Sequence, residues 1–280
     1  MDLQIGIRLH DTMEIPLPKR LDQIKKDGFS CAHLAISKLL PEEKIDYRAF
    51  TPGYGMYVKH LFEARKLDIA VLGCYLNLAT PDENQRMENL KKYEAHIRLA
   101  SILGVGLVGT ETGAPNKAYI FEDACHSKKA LDIFIKNLRI VMEYAERMGV
   151  IVGIEPVYRH IVWNGVRARE VLDTIKSPNL QIIFDPVNLL DISNYKNDKN
   201  IINETMELLK DEIAVVHLKD YQVRDGKLVS VAAGTGEMDY KPILKFIKEN
   251  KPYIHVTLEN TNPENAVKAR KYLENIWNSI

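Results

Sequence analysis

Short, nearly continuous apolar runs alternate along this chain with longer stretches in which apolar residues recur every three or four positions. The short runs are QIGIRLH (4–10), CAHLAI (31–36), AVLGCYLN (70–77), LVGTETG (107–113), IVGIEPV (151–157), LQIIFDPV (180–187), AVVHLKD (214–220) and YIHVTLEN (253–260). Unbroken apolar character, in place of strict alternation, marks strands buried on both faces, as parallel strands are. Between the runs lie amphipathic helices. RMENLKKYEAHIRLASILG (86–104) places Leu90, Tyr93, Ile97, Leu99, Ala100 and Leu103 largely on one stripe and closes at Gly104. KALDIFIKNLRIVMEYAERMG (129–149) ends at Gly149, and VRAREVLDTIKSPN (166–179) stops at a Ser-Pro-Asn turn. The stretch 263–280 is amphipathic to its end, with Asn262 or Asn260 to cap it, and Asp239 is placed to cap the helix before it.

Eight such βα repeats with no composition break predict one domain over residues 1–280, folded as a single (β/α)8 TIM barrel. A barrel of this type typically needs about 250 residues, which the 280 here supply. A doubly wound open sheet would want a glycine-rich phosphate loop after the first strand, and IGIRLHDTMEIPLP has none. Likewise GTGEMD (234–239) lacks the spacing of a phosphate-binding loop.

Four of the runs end on a polar group: Glu155, Asp185, His217 and Glu259, on strands five to eight. Taken singly, each is ordinary: a strand-end carboxylate is usually a surface or salt-bridged residue, and a lone histidine a hydrogen-bonded core residue. Together, at corresponding positions of consecutive units, they predict one divalent-metal site, because charge on a buried strand is costly unless paired or bound to metal. Barrel strands lie about 4.8 Å apart, and reactive groups collect at their C-terminal ends. Four neighbouring strands can therefore bring side chains to within about 2.0–2.3 Å of one ion. Three oxygens and one nitrogen suit Mn²⁺ foremost, with Mg²⁺, Co²⁺ or Zn²⁺ as alternatives, and leave positions open for a chelating substrate.

GIEPV, SPNLQIIFDPVN, VVHLKD, GTGEMDY and TLEN resemble, in order and spacing, the sugar isomerase/epimerase branch of the xylose-isomerase-like TIM-barrel superfamily, which also holds endonuclease IV. The resemblance covers essentially the whole chain and is strongest from Gly153 to Asn260. It implies that Glu155, Asp185, His217 and Glu259 bind the metal and that Glu155 and Glu259 also exchange protons with the sugar. It implies a homo-dimer or homo-tetramer as well. Two departures stand out: Asn188 occupies the place of a histidine found in many ketose 3-epimerases, and Ile161 the place of a glutamate. Substrate contacts therefore differ from those enzymes.

The chemistry expected of such a site is proton transfer on a ketose or keto-polyol, free or phosphorylated, through a metal-stabilised enediolate. One carboxylate takes the proton, and the other returns it to the same carbon (epimerisation) or a neighbouring one (isomerisation). Asn188, His160, Arg224, Glu111 and His10 are the expected substrate contacts, with Asn164 near them. Asp220 is expected to orient His217 or Lys219. Tyr75, Tyr158, Trp163 and Phe184 offer an apolar wall, and His33, His96, His126 and His255 read as structural or surface residues. A keto-inositol-type dehydratase would use the same groups; a sugar-binding protein without catalysis is a third class. An endonuclease IV-like repair enzyme would need more histidines than are present.

Composition narrows the rest. Lys plus Arg and Asp plus Glu both number 38, so no basic surplus favours nucleic acid. Cys31, Cys74 and Cys125 are scattered, without disulfide or zinc-finger spacing, and predict reduced thiols. MDLQIGIRLHD lacks the apolar core of a signal peptide, and no run nears the roughly 18 residues of a membrane span. A cytoplasmic enzyme acting on a small sugar or polyol, with no membrane partner, is expected.

Overall fold

The computed structural model describes residues 2–280. The chain runs β1 (Ile5–Arg8), α1 (Leu17–Lys26), β2 (Cys31–Leu34), α2 (Pro52–Glu63), β3 (Asp68–Gly73), α3 (Glu83–Leu103), β4 (Leu107–Glu111), α4 (Lys128–Met148), β5 (Ile151–Glu155) and α5 (Gly165–Ile175). It continues with β6 (Leu180–Phe184), α6 (Asp198–Leu209), β7 (Ile213–Leu218), β8 (Asp220–Arg224), β9 (Lys227–Val231), α7 (Lys241–Asn250), β10 (His255–Leu258) and α8 (Ala266–Ser279). Eight strands close into a parallel barrel in the order β1-β10-β7-β6-β5-β4-β3-β2. All eight apolar runs of the sequence are barrel strands, and the fold is the (β/α)8 barrel they predict.

Strand side chains alternate between the barrel interior and the helical shell. Cys31, Val71, Leu107, Ile183 and Val215 point inward and pack together at the bottom. Their neighbours Ala32, Leu72, Val108, Ile182 and Val216 point outward into the main core beneath the helices. Continuing the inward parity up each strand leads to Glu111, Glu155, Asp185, His217 and Lys219. The same face that closes the floor with apolar groups thus carries polar ones at the top. Register fixes their heights: Glu111 lies opposite Glu155 on adjoining strands, and His217 opposite Thr257.

Helix boundaries follow local chemistry. Asp82 and Ser127 cap α3 and α4 with their side-chain oxygens, and Gly104 and Gly149 end them in the left-handed region, φ 73° and 64°. Asp239 accepts the N–H of Lys241 at 3.1 Å at the start of α7. Helix α8 begins at Ala266 rather than Pro263, because Asn262 Oδ1 accepts the N–H groups of Glu264 and Asn265 in a preceding turn (3.0 and 3.1 Å).

One element lies outside the eightfold pattern. β8 and β9 form an antiparallel hairpin after β7, paired only with each other. Its turn is Asp225–Gly226, φ 50° and 69°, the left-handed pair that a two-residue hairpin turn requires. All three cysteines are free and buried. No helix among the described residues is long and apolar enough to cross a membrane.

Candidate metal centre and substrate cavity

Glu155 is the last residue of β5, His217 lies near the end of β7, and Asp185 and Glu259 each follow the last residue of their strand. All four are buried, with relative exposures of 2%, 0%, 1% and 5%. Asp185 turns the chain: its Oδ1 accepts the N–H groups of Val187 (2.9 Å) and Asn188 (3.0 Å), which leaves Oδ2 facing the barrel axis. Asn188 Nδ2 donates to Glu155 Oε1 at 2.5 Å, leaving Glu155 Oε2 turned to His217. His217 Nδ1 is 3.4 Å from Glu155 Oε2 and 3.2 Å from Glu259 Oε1, yet neither ring nitrogen makes a hydrogen bond.

A fully buried imidazole facing two carboxylates, with no hydrogen bond to either nitrogen, fits a bound cation. Ligand atoms of Glu155, Asp185 and His217 all lie within 4.8 Å of one another, as do those of His33, His217 and Glu259. Carboxylate and imidazole donors suit a first-row divalent ion or Mg²⁺. The residues present therefore form two groups that could each hold a divalent ion, with His217 common to both.

Two cations brace this cage from within. Lys219 Nζ lies 2.7 Å from Asp185 Oδ2 and 3.0 Å from Glu259 Oε2. Arg8 Nη1 lies 3.3 Å from Glu259 Oε2, while its Nε and Nη2 each reach an Asp11 oxygen at 3.0 Å. Burial alone would raise the pKa of Glu259, but Lys219, His217 and Arg8 outweigh it and hold the carboxyl well below its ordinary value. Burial dominates at Asp185 despite Lys219, and its pKa rises to about 6. At His217 burial is outweighed by Glu259 and Glu155, and the pKa is raised. Lys219 is raised likewise, by Asp185 and Glu259 acting against burial, so its ammonium stays charged.

Above the cage opens a cavity of about 350 Å³. Arg8 and His10 line it from the β1 side, Lys38 and Tyr75 from the next two units, and Glu111, Asn188, Lys219 and Asn260 complete the wall with Glu155 and Glu259. Burial and Arg8 lower the pKa of His10 to about 4, so it is neutral at pH 7. Burial raises Glu111, with Glu259 adding to the effect.

Of the residues expected from sequence, Glu111, His10 and Asn188 line this cavity together with Glu155 and Glu259. His160 sits behind Glu111, its Nδ1 3.7 Å from Glu111 Oε2 and its ring against Tyr119. Arg224 is not brought to the cavity: the hairpin carries it to an exposed turn, where Nε donates to Gln222 at 2.8 Å. Asn164 caps α5 by accepting the N–H of Arg167 at 2.9 Å. Trp163 stacks on His126, and Phe184 is core.

Asp220 does not orient His217 or Lys219. Its carboxylate accepts four backbone N–H groups, from Tyr221, Gly234, Gly236 and Met238, and so ties the 234–238 loop to the end of β7. Strand parity explains this, since His217 and Lys219 point inward and Asp220 outward.

Three site residues carried a weaker signal. Arg8 and Lys219 are charges at the ends of apolar runs, like the four proposed ligands. His33 sits mid-strand with the inward parity; it stacks on His217 at 5.5 Å and shares a 2.9 Å hydrogen bond with Tyr75 Oη.

The sequence profile of xylose isomerase-like TIM barrels matches residues 21–276, and the chain belongs to that family. It is similar to an uncharacterized protein of Methanocaldococcus jannaschii, 24% identical over 226 residues that span 78% of this chain and 73% of that one. Solved structures of the same fold include a D-tagatose 3-epimerase-like protein, 20% identical with a TM-score of 0.76 over 99% of this chain and 98% of that one. Another is IolI with a bound zinc atom, 19% identical with a TM-score of 0.75 over 99% of each chain.

Proposed function

We infer that this protein is a divalent-metal-dependent sugar isomerase or epimerase, acting on a ketose or keto-polyol by proton transfer. The observation that carries this reading is the unsatisfied His217 imidazole between Glu155 and Glu259, at the floor of a polar cavity of about 350 Å³. Glu155, Asp185, His217 and Glu259 would hold the ion. When bound, a divalent cation polarises a substrate carbonyl and acidifies the neighbouring C–H.

The chain's own groups supply the rest. Glu259, kept ionised by Lys219, His217 and Arg8, is ready to accept a proton at neutral pH. Glu155, from β5, faces the same His217 ring nitrogen as Glu259 and is steered by Asn188. Two carboxylates on opposite sides of one carbon can remove a proton from one face and return it to the other, which inverts that carbon. Return to the adjacent carbon gives isomerisation with the same residues. Neutral His10 and the uncharged Tyr75 hydroxyl offer hydrogen bonds to sugar hydroxyls. Among proteins of the same fold, one is named for D-tagatose 3-epimerase and IolI binds zinc, in keeping with both halves of the reading. Manganese is the ion we favour, and the cytoplasm the location.

The test is a panel of ketoses and ketose phosphates incubated with Mn²⁺ in D₂O, followed by NMR and mass spectrometry. Deuterium should appear at a carbon next to the carbonyl. Glu155→Gln and Glu259→Gln should each lower the exchange by about 10²–10⁴-fold. Exchange that survives both substitutions would refute the assignment, and a product lighter by one water would reassign the reaction as dehydration.

A further inference from the structure

We propose that the substrate of this site carries a second sugar ring, held in a groove between the β8–β9 hairpin and the loops that follow β5 and β6. The proposal rests on the sugar isomerase or epimerase reading and extends it to a glycosylated substrate.

The groove encloses about 500 Å³, beside the catalytic cavity of about 350 Å³. Small-molecule sites span about 300–1,000 Å³, so the catalytic cavity alone accommodates one sugar and leaves the groove for another group. Asn188 lines both spaces. Its side-chain amide is bound to Glu155, its backbone N–H to Asp185, and its carbonyl oxygen accepts Tyr158 N–H at 2.7 Å. Its Oδ1 takes no donor among the described residues. A rigid wall with a free acceptor, shared by two cavities, suits the junction between two hydroxyl-bearing rings.

The apolar part of the groove points to a sugar ring. Val157, Leu228 and Val229 give half-buried apolar surface, which matches the C–H face of a pyranose. The Arg159–Asp191 pair (3.4 Å) supplies donors and acceptors along the edge, where a ring presents its hydroxyls. Lys227 adds an exposed ammonium to the same lining, so Arg159 and Lys227 stand against Asp191, and the fructose 6-phosphate arm of the test decides between a neutral ring and an anionic substituent. The hairpin itself closes no part of the barrel, so its placement over this rim has no role in the barrel's hydrogen bonding.

The probes are D-fructose, glucosyl-fructose disaccharides linked through O4, O5 or O6, and fructose 6-phosphate. Deuterium exchange and calorimetric binding are both measured on the Mn²⁺-loaded protein. At least one disaccharide should bind, and exchange where exchange occurs, with about tenfold or greater advantage over fructose. Val229→Trp, which fills the groove, and Arg159→Ala, an exposed change, should each reduce the ratio of disaccharide to fructose affinity. Equal affinity for fructose and every disaccharide, or a ratio unmoved by both variants, overturns the proposal and leaves the isomerase reading standing. A preference for fructose 6-phosphate overturns it in favour of an anionic substituent. Loss of exchange for every probe, with the disaccharide binding preference intact, sinks the isomerase reading instead and retains the groove.

Discussion

Replacing Lys219 by methionine separates what the protein's own cation does from what a bound metal does. Methionine keeps the length and apolar stem but removes the ammonium that contacts Asp185 (2.7 Å) and Glu259 (3.0 Å). Both carboxylates are buried, with relative exposures of 1% and 5%. Breaking a buried ion pair by deleting one partner costs about 3–5 kcal/mol, because the remaining charge keeps its desolvation penalty. In the metal-free protein that cost falls mainly on Asp185, because Glu259 keeps Arg8 at 3.3 Å. For a chain of this size about 1 kcal/mol moves the melting temperature by about 2–4 °C, so a drop on the order of 10 °C is expected. With a divalent ion bound, the same carboxylates have a cationic partner and the penalty shrinks. Thermal unfolding of wild type and Lys219→Met should be followed in EDTA and in excess Mn²⁺. The variant should be strongly destabilised in EDTA and recover much of the difference with Mn²⁺, so its metal-induced shift exceeds that of wild type. A metal-free variant as stable as wild type would refute the assigned role of Lys219. A loss that Mn²⁺ does not reduce would refute the metal cage.

Other outcomes follow from the same geometry. Asp220→Asn replaces an acceptor of four backbone N–H groups with a group that is half donor. It should cost about 2–4 kcal/mol in urea unfolding, and hydrogen exchange should quicken at Gly234, Gly236 and Met238. His96 packs edge-on against Phe50, and burial lowers its pKa from the ordinary 6.5. The unfolded chain therefore takes up a proton first as pH falls. Its contribution to stability is complete above pH 6.5 and declines below it. Comparing urea midpoints at pH 7.5 and 5, His96→Phe should show a smaller decline than wild type, and an equal or steeper one would count against this account.

Much of the barrel was legible in the sequence for a simple reason. Strands buried on both faces must be apolar throughout, so eight runs stood out, and Gly104 and Gly149 marked helix ends because left-handed backbone suits glycine. That residues 155, 185, 217 and 259 are buried close to one another was legible from their matching positions on four consecutive strands, because any one strand-end charge alone is ordinary. The β8–β9 hairpin left a local trace as well, Asp225–Gly226 between two alternating segments, though its position over the rim did not.

What only the tertiary structure decided is which charge meets which. Arg8 reaches Glu259 from the opposite end of the chain because β1 and β10 are neighbours in the closed barrel. Lys219 spans two strands to join Asp185 and Glu259, and His33 stacks on His217 across the barrel's interior. Asp220 and Arg224, three and seven residues beyond His217, turn away from the site because side-chain direction alternates along a strand and a hairpin carries its turn outward. Local spacing specifies elements and the positions where charge is costly. Pairing between distant positions depends on barrel closure and strand register, which arise from the packing of the whole chain.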